Sequence, residues 1–106
     1  MKSAHRFDLL HVFKALGEEN RLRIVQLLLN RRCSVNEIAE NLKITPANVS
    51  CHLRVLRNAG FLEQKKSGLK RVYSLAPVLG ANEGREDETL DLGCCTIQFD
   101  KMVGHA

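Results

Sequence analysis

The stretch "SVNEIAENLKITPANVSCHLRVLRNAGFL", Ser34 to Leu62, decides the fold, because it carries two helix starts and a helix stop in quick succession. Ser34 and Glu37 have the Ser-x-x-Glu spacing of a capping box, in which each side chain bonds the other residue's backbone N–H. Ile38, Ala39 and Leu42 follow at helical spacing, so a short helix is expected. After "LKI", Thr45 stands at a capping position and Pro46 at the first helical one, where its missing N–H does no harm. This second helix should run to about Asn58, with Gly60 ending it. On it Val49, Leu53 and Leu56, spaced four and three apart, turn inward. Ala47, Asn48, Ser50, Cys51, Arg54 and Arg57 remain outward or on the flanks. Two helices joined by three or four residues form a helix-turn-helix pattern.

The next segment, "FLEQKKSGLKRVYSL", reads as a hairpin: Phe61 to Lys66, a turn at Ser67 and Gly68, then Leu69 to Leu75. Lys65, Lys66, Lys70 and Arg71 crowd its tip. A helix-turn-helix followed directly by a basic hairpin is the plan of a winged helix, mainly α with a small β-hairpin. In that plan small polar side chains on the second helix leave it room to enter a DNA groove about 12 Å wide, while the wing supplies phosphate contacts. A solvated helix face would carry similar residues, so the order of elements is the stronger signal.

Upstream, "ENRLRIVQLLLN" places Leu22, Ile24, Val25, Leu28 and Leu29 on a core helix that Asn20 can cap. Before the break at Gly17, "RFDLLHVFKAL" shows Phe7, Leu9, Leu10, Val12, Phe13 and Leu16 over more than one helical stripe. Core packing accounts for each of these residues taken singly, and a helix this apolar at the edge of a small domain is also what a homodimer interface looks like.

At 106 residues the chain is the size of one domain. Its net charge of +4 is unevenly spread: residues 1–75 hold fourteen Lys/Arg against six Asp/Glu, and residues 76–106 two against six. A basic body suits a polyphosphate partner. No run of about 18 apolar residues is long enough for a membrane span and the start resembles no signal peptide, so a cytoplasmic protein is expected. The four cysteines, 33, 51, 94 and 95, form neither a disulfide framework nor a CxxC pair, so reduced thiols are the default. With no nucleophile motif and no Gly-rich cofactor loop, an enzyme is not expected.

Over residues 7 to 76 the chain resembles the ArsR/SmtB family of arsenic- and metal-responsive bacterial repressors. The resemblance is carried by "FKALGEENRLRIVQLL", the Ser50-x-His52-Leu53 pattern and "LRNAGFL". It implies a homodimeric winged helix on a double-stranded operator with an inverted repeat, needing no cofactor to bind DNA. It also implies that Thr45, Ala47, Asn48, Ser50, Cys51, His52, Arg54 and Arg57 lie at or beside DNA, with Lys65, Lys66, Lys70 and Arg71 on the wing. The family's Cys-x-Cys arsenic site would fall at Ser34 and Asn36, with Cys33 one residue off. Its C-terminal zinc site has no HxxxH counterpart; His105 stands alone.

The organisation expected is a DNA-binding domain over 1–76, a linker over 77–89, and a tail over 90–106 that carries the adjacent Cys94 and Cys95. Some relatives in this family use vicinal cysteines near the C-terminus, and soft thiolates suit trivalent arsenic or antimony. Arsenite favours three sulfurs; Cys33 or Cys51, from either subunit, could supply the third, or an organic arsenical could be held by two. Thiol redox sensing and packing are the other readings of the pair. The alternation in "LDLGCCTIQF" reads as one strand, with Leu90, Leu92 and Cys94 on one face and Cys95, Ile97 and Phe99 on the other. The function expected is a repressor released from its operator by a thiophilic inducer; the alternative is a redox-responsive or small-ligand-responsive regulator of the same fold.

Overall fold

The computed structural model describes residues 9–76, 89–92 and 96–99. Four helices, α1 (Leu9–Leu16), α2 (Glu19–Leu28), α3 (Val35–Leu42) and α4 (Pro46–Asn58), precede a hairpin of β2 (Leu62–Ser67) and β3 (Lys70–Leu75). A two-residue strand, β1 (Cys33–Ser34), lies between α2 and α3. A second hairpin joins β4 (Thr89–Asp91) to β5 (Thr96–Gln98).

Local chemistry sets most of these boundaries. Ser34 caps α3 as expected: its Oγ accepts from the Glu37 N–H at 3.3 Å, and Ser34 N–H donates to Glu37 Oε1 at 2.8 Å. The chain leaves α3 through Lys43, held at φ 60, a left-handed conformation in which its N–H reaches the Ala39 carbonyl at 2.8 Å. Thr45 then caps α4, with Pro46 in the first turn. At the other end Gly60, φ 92, donates to Arg57 O, and Phe61 donates to Leu56 O, both at 3.0 Å. That paired arrangement is a Schellman close, sealed by the buried Phe61 and Leu56 side chains.

Two expectations about caps and turns shift. The N-cap of α2 is Glu18, whose carboxylate accepts from the Arg21 N–H at 3.0 Å, while Asn20 sits inside the first turn and accepts from the Arg23 guanidinium. In the wing the register Ser67↔Lys70 leaves Gly68 and Leu69 as a two-residue loop, one position beyond the expected turn. Gly68 takes φ 67 there, the left-handed backbone that a tight hairpin favours at its first loop position.

The three-stranded sheet has the order β1-β3-β2, all antiparallel, with Cys33↔Tyr73 and Gln64↔Tyr73 in register. Its inner face carries Cys33, Leu62 and Tyr73, all buried; Gln64 Nε2 donates to the tyrosine oxygen at 2.6 Å. The core is continuous: Val12, Ala15 and Leu16 of α1, Ile24, Val25 and Leu28 of α2 with Leu29, Ile38, Ala39 and Leu42 of α3, and Val49, Leu53 and Leu56 of α4. On α1 the wide apolar face divides. Leu10 and Phe13 stay 61% and 57% exposed. Phe7 lies outside the described residues.

The tail is not one strand. β4 and β5 pair with each other antiparallel, Leu90↔Ile97 and Asp91↔Thr96, where the alternation predicts one continuous strand. Leu90, Leu92 and Phe99, expected on opposite faces, all enter the same core as the helices. Gln26 Nε2 on α2 donates to the Phe99 carbonyl at 3.4 Å and ties this hairpin to the body. Cys94 and Cys95, together with residues 77–88, lie outside the described residues.

Candidate nucleic-acid interface

The helix-turn-helix is α3, a three-residue turn and α4, and its outward surface follows from what α4 buries. With Val49, Leu53 and Leu56 committed to the core, Ala47, Asn48, Ser50, Cys51, Arg54 and Arg57 are exposed. Thr45 is exposed as well, its Oγ1 accepting from the Asn48 N–H at 3.1 Å. That bond satisfies one amide at the helix start, Pro46 has none and the Val49 N–H donates to the Thr45 carbonyl at 3.0 Å, so of the first turn the Ala47 N–H is left at the positive end of the helix dipole. The side chains over this first turn are short, so a polyanion can approach the backbone closely; the two arginines extend farther along the helix.

His52 is the exception among the expected contacts. Its side chain is only 18% exposed and turned back onto α2. Arg21 Nη1 lies 3.3 Å from His52 Nδ1, and Glu18 Oε1 lies 3.9 Å from Nε2. An arginine can only donate, so Nδ1 is the acceptor and the neutral ring carries its proton on Nε2, facing the carboxylate. Arg21 also donates through Nε to the Ala15 carbonyl and through Nη2 to the Lys14 carbonyl at 3.2 Å. One guanidinium thus closes the C-terminus of α1 and holds a ring of α4. The motif that drew attention to His52 gave no sign of this role. Arg21 itself was missed, because its partners lie six, seven and thirty-one residues away.

On the wing, Lys65, Lys66, Lys70 and Arg71 are all exposed and flank the loop, where Leu69 stands fully in solvent at 105%. The hairpin therefore presents a cationic rim around one apolar tip. Glu37, at the start of α3, is held below the usual glutamate range. The bond from Ser34 N–H is the main cause, and Lys70 and Arg31 add attraction.

The two cysteines described here differ sharply. Cys51 is exposed on α4; Cys33 is buried in β1, where desolvation pushes its thiol up and keeps it protonated. Among the described residues no three potential ligands gather as a metal site. The same residues contain no helix long and apolar enough to cross a membrane.

Comparison with known proteins agrees with this architecture. Residues 18–64 match the family model described as "Bacterial regulatory protein, arsR family". A cadmium resistance transcriptional regulatory protein, a CadC homolog of Staphylococcus aureus, is 36% identical over 64% of this chain. The chain spans only 57% of that relative's length. A probable mercury resistance operon repressor of Streptomyces lividans is 30% identical over 79% of this chain and 72% of its own. Among solved structures, the homodimeric winged helix-turn-helix DNA-binding domain Mb0332 of Mycobacterium bovis superposes with a TM-score of 0.62 at 29% identity, covering 64% of this chain and 63% of that one. The relatives named are regulators of transcription rather than enzymes, and on these matches the chain belongs to the ArsR family of bacterial regulatory proteins.

Proposed function

We propose that the chain is one protomer of a homodimeric repressor whose two α4 helices enter successive major grooves of an inverted-repeat operator. The observation that carries this reading is the outward row of Asn48, Ser50, Cys51, Arg54 and Arg57 on a capped helix followed directly by a cationic hairpin. Short polar side chains permit groove entry, arginines read guanine edges or phosphates, and Lys65, Lys66, Lys70 and Arg71 add contacts to the backbone. The exposed Leu10 and Phe13 of α1 supply apolar surface for the second protomer.

The inducer in this reading is trivalent arsenic or antimony, or another thiophilic ion, bound by Cys94 and Cys95. Its support is the chemistry of adjacent soft thiolates and the names of relatives tied to cadmium and mercury resistance. A coupling free energy of about 1–3 kcal/mol between inducer and DNA lowers operator affinity roughly 5- to 150-fold. The test is fluorescence anisotropy on the chain's own upstream duplex at fixed salt, with arsenite, zinc or peroxide added in turn. Release by arsenite from the wild type and not from Cys94→Ser/Cys95→Ser supports the site. Release that persists in the double variant would falsify it.

A redox-responsive regulator is the second reading, and one observation favours it: Cys51 is an exposed thiol on the face of α4 assigned to DNA. Reversible loss of binding under peroxide, abolished by Cys51→Ser, with arsenite inert, would replace the first reading.

A further inference from the structure

The sheet has an outer face that the wing alone does not explain. Because Cys33, Leu62 and Tyr73 occupy the inner face, alternation sends their neighbours Val72 and Ser74 of β3 and Lys65 of β2 to the other side. Arg32, the residue before β1, joins them from the opposite edge, since β1 pairs with β3 rather than with β2. Arg32, Lys65, Lys66, Ser67, Val72 and Ser74 line an open cleft of about 240 Å³.

Arg32 and Lys65 face this cleft by alternation, with Lys66 at its edge, beside two hydroxyls and one apolar residue. None of the three is in ion-pair contact with a carboxylate among the described residues, and all are exposed. Glu63, opposite Ser74 in register, pairs with none of them. Like charges gathered without a counter-charge repel one another, and an anion with several acceptor oxygens relieves that repulsion. An arginine fork fits two oxygens of a phosphate, lysines act as point charges beside it, and serine hydroxyls donate. Openness favours a segment of a polymer over an enclosed small ligand, and Lys65, Lys66 and Ser67 make the cleft continuous with the wing tip.

We propose that this cleft holds a phosphodiester of the DNA backbone, with Arg32 as its principal donor, so that the duplex contacts the outer face of the sheet as well as the wing tip. The proposal rests on the DNA-binding reading above and adds to it a residue outside both α4 and the hairpin. Such a contact positions the duplex without reading its sequence.

The experiment is anisotropy of the full-length protein across a series of salt concentrations, on its upstream duplex and on a scrambled duplex of equal length. Arg32→Ala should lower the magnitude of the slope of log affinity against log salt by about 1, with affinity reduced by the same factor on both duplexes. Arg32→Lys should restore most of the slope, and thermal melting of both variants should match the wild type because Arg32 is exposed. A slope unchanged in Arg32→Ala overturns the proposal. So does a variant that keeps its slope while losing the thermal shift that inorganic phosphate gives the wild type, which would make the cleft a free-anion site. If the wild type binds neither duplex, the DNA-binding reading itself fails, and that outcome appears before any variant is compared.

Discussion

α1 and α4 each bury one face in the same core, and what they leave outside differs in kind. α1 exposes Leu10 and Phe13, large apolar groups whose removal from water is favourable against any complementary apolar surface. α4 exposes Asn48, Ser50, Cys51, Arg54 and Arg57, small or cationic groups that gain most from an anionic, hydrogen-bonding partner. The contrast teaches that one domain can offer two interfaces of opposite chemistry. Arg21 spans them, joining the last carbonyls of α1 to His52 of α4.

The strongest way to break this contrast is Phe13→Asp. A carboxylate on the apolar face should dissociate the proposed dimer in sedimentation and, by removing the proposed linkage between two half-sites, weaken operator binding by about 10²- to 10⁴-fold. If the variant remained dimeric, the α1 interface would be wrong. Arg54→Ala should cost about 1–3 kcal/mol in DNA binding and leave the sedimentation profile unchanged. An effect on assembly instead would merge the two surfaces. Arg21→Ala removes the bonds that join them; stability should fall by about 1–3 kcal/mol in urea unfolding, with His52 more accessible to diethyl pyrocarbonate. Ser34→Ala, which removes the cap of α3 without touching either outward face, should cost about 1 kcal/mol and spare both dimerisation and sequence preference.

The smallest effect concerns pH. Glu37 has a folded-state pKa held below its unfolded value, chiefly by the bond from Ser34 N–H. Its contribution is therefore present above the usual glutamate range and is lost as pH falls through the depressed folded-state value. Glu37→Gln should flatten that part of the melting temperature's dependence on pH, and an unaltered acid limb would show that the capping bond does not couple to stability.

What could be read in the chain beforehand follows the range of each interaction. The caps of α3 and α4 and the inward row Val49, Leu53 and Leu56 depend on residues a few positions apart, and those were visible. β1 was not, because a two-residue strand exists only through Tyr73 and Val72, some forty residues later. The same holds for His52, which the family resemblance places at or beside DNA and which the structure sets instead beside Arg21 and Glu18. Alternation in the tail gave the right period for β4 and β5 but carried no sign of the reversal between them, since Leu90 and Phe99 reach one core only after the chain doubles back. Glu18 stands in place of Asn20 as the cap of α2 for a subtler reason: either side chain can accept a backbone N–H, but the helix begins at Glu19, which puts Asn20 inside the first turn and leaves the extended Glu18 just before it.

Ser34 belongs to two elements at once, ending the strand that pairs with the wing and opening α3 with its side chain. The hinge that a loop would provide between hairpin and helix-turn-helix is therefore replaced by a weld. In the proposed dimer each half would then behave mechanically as a lever of fixed shape, and an inducer of the proposed kind would change the distance between the two α4 helices by turning one lever against the other at their shared pivot.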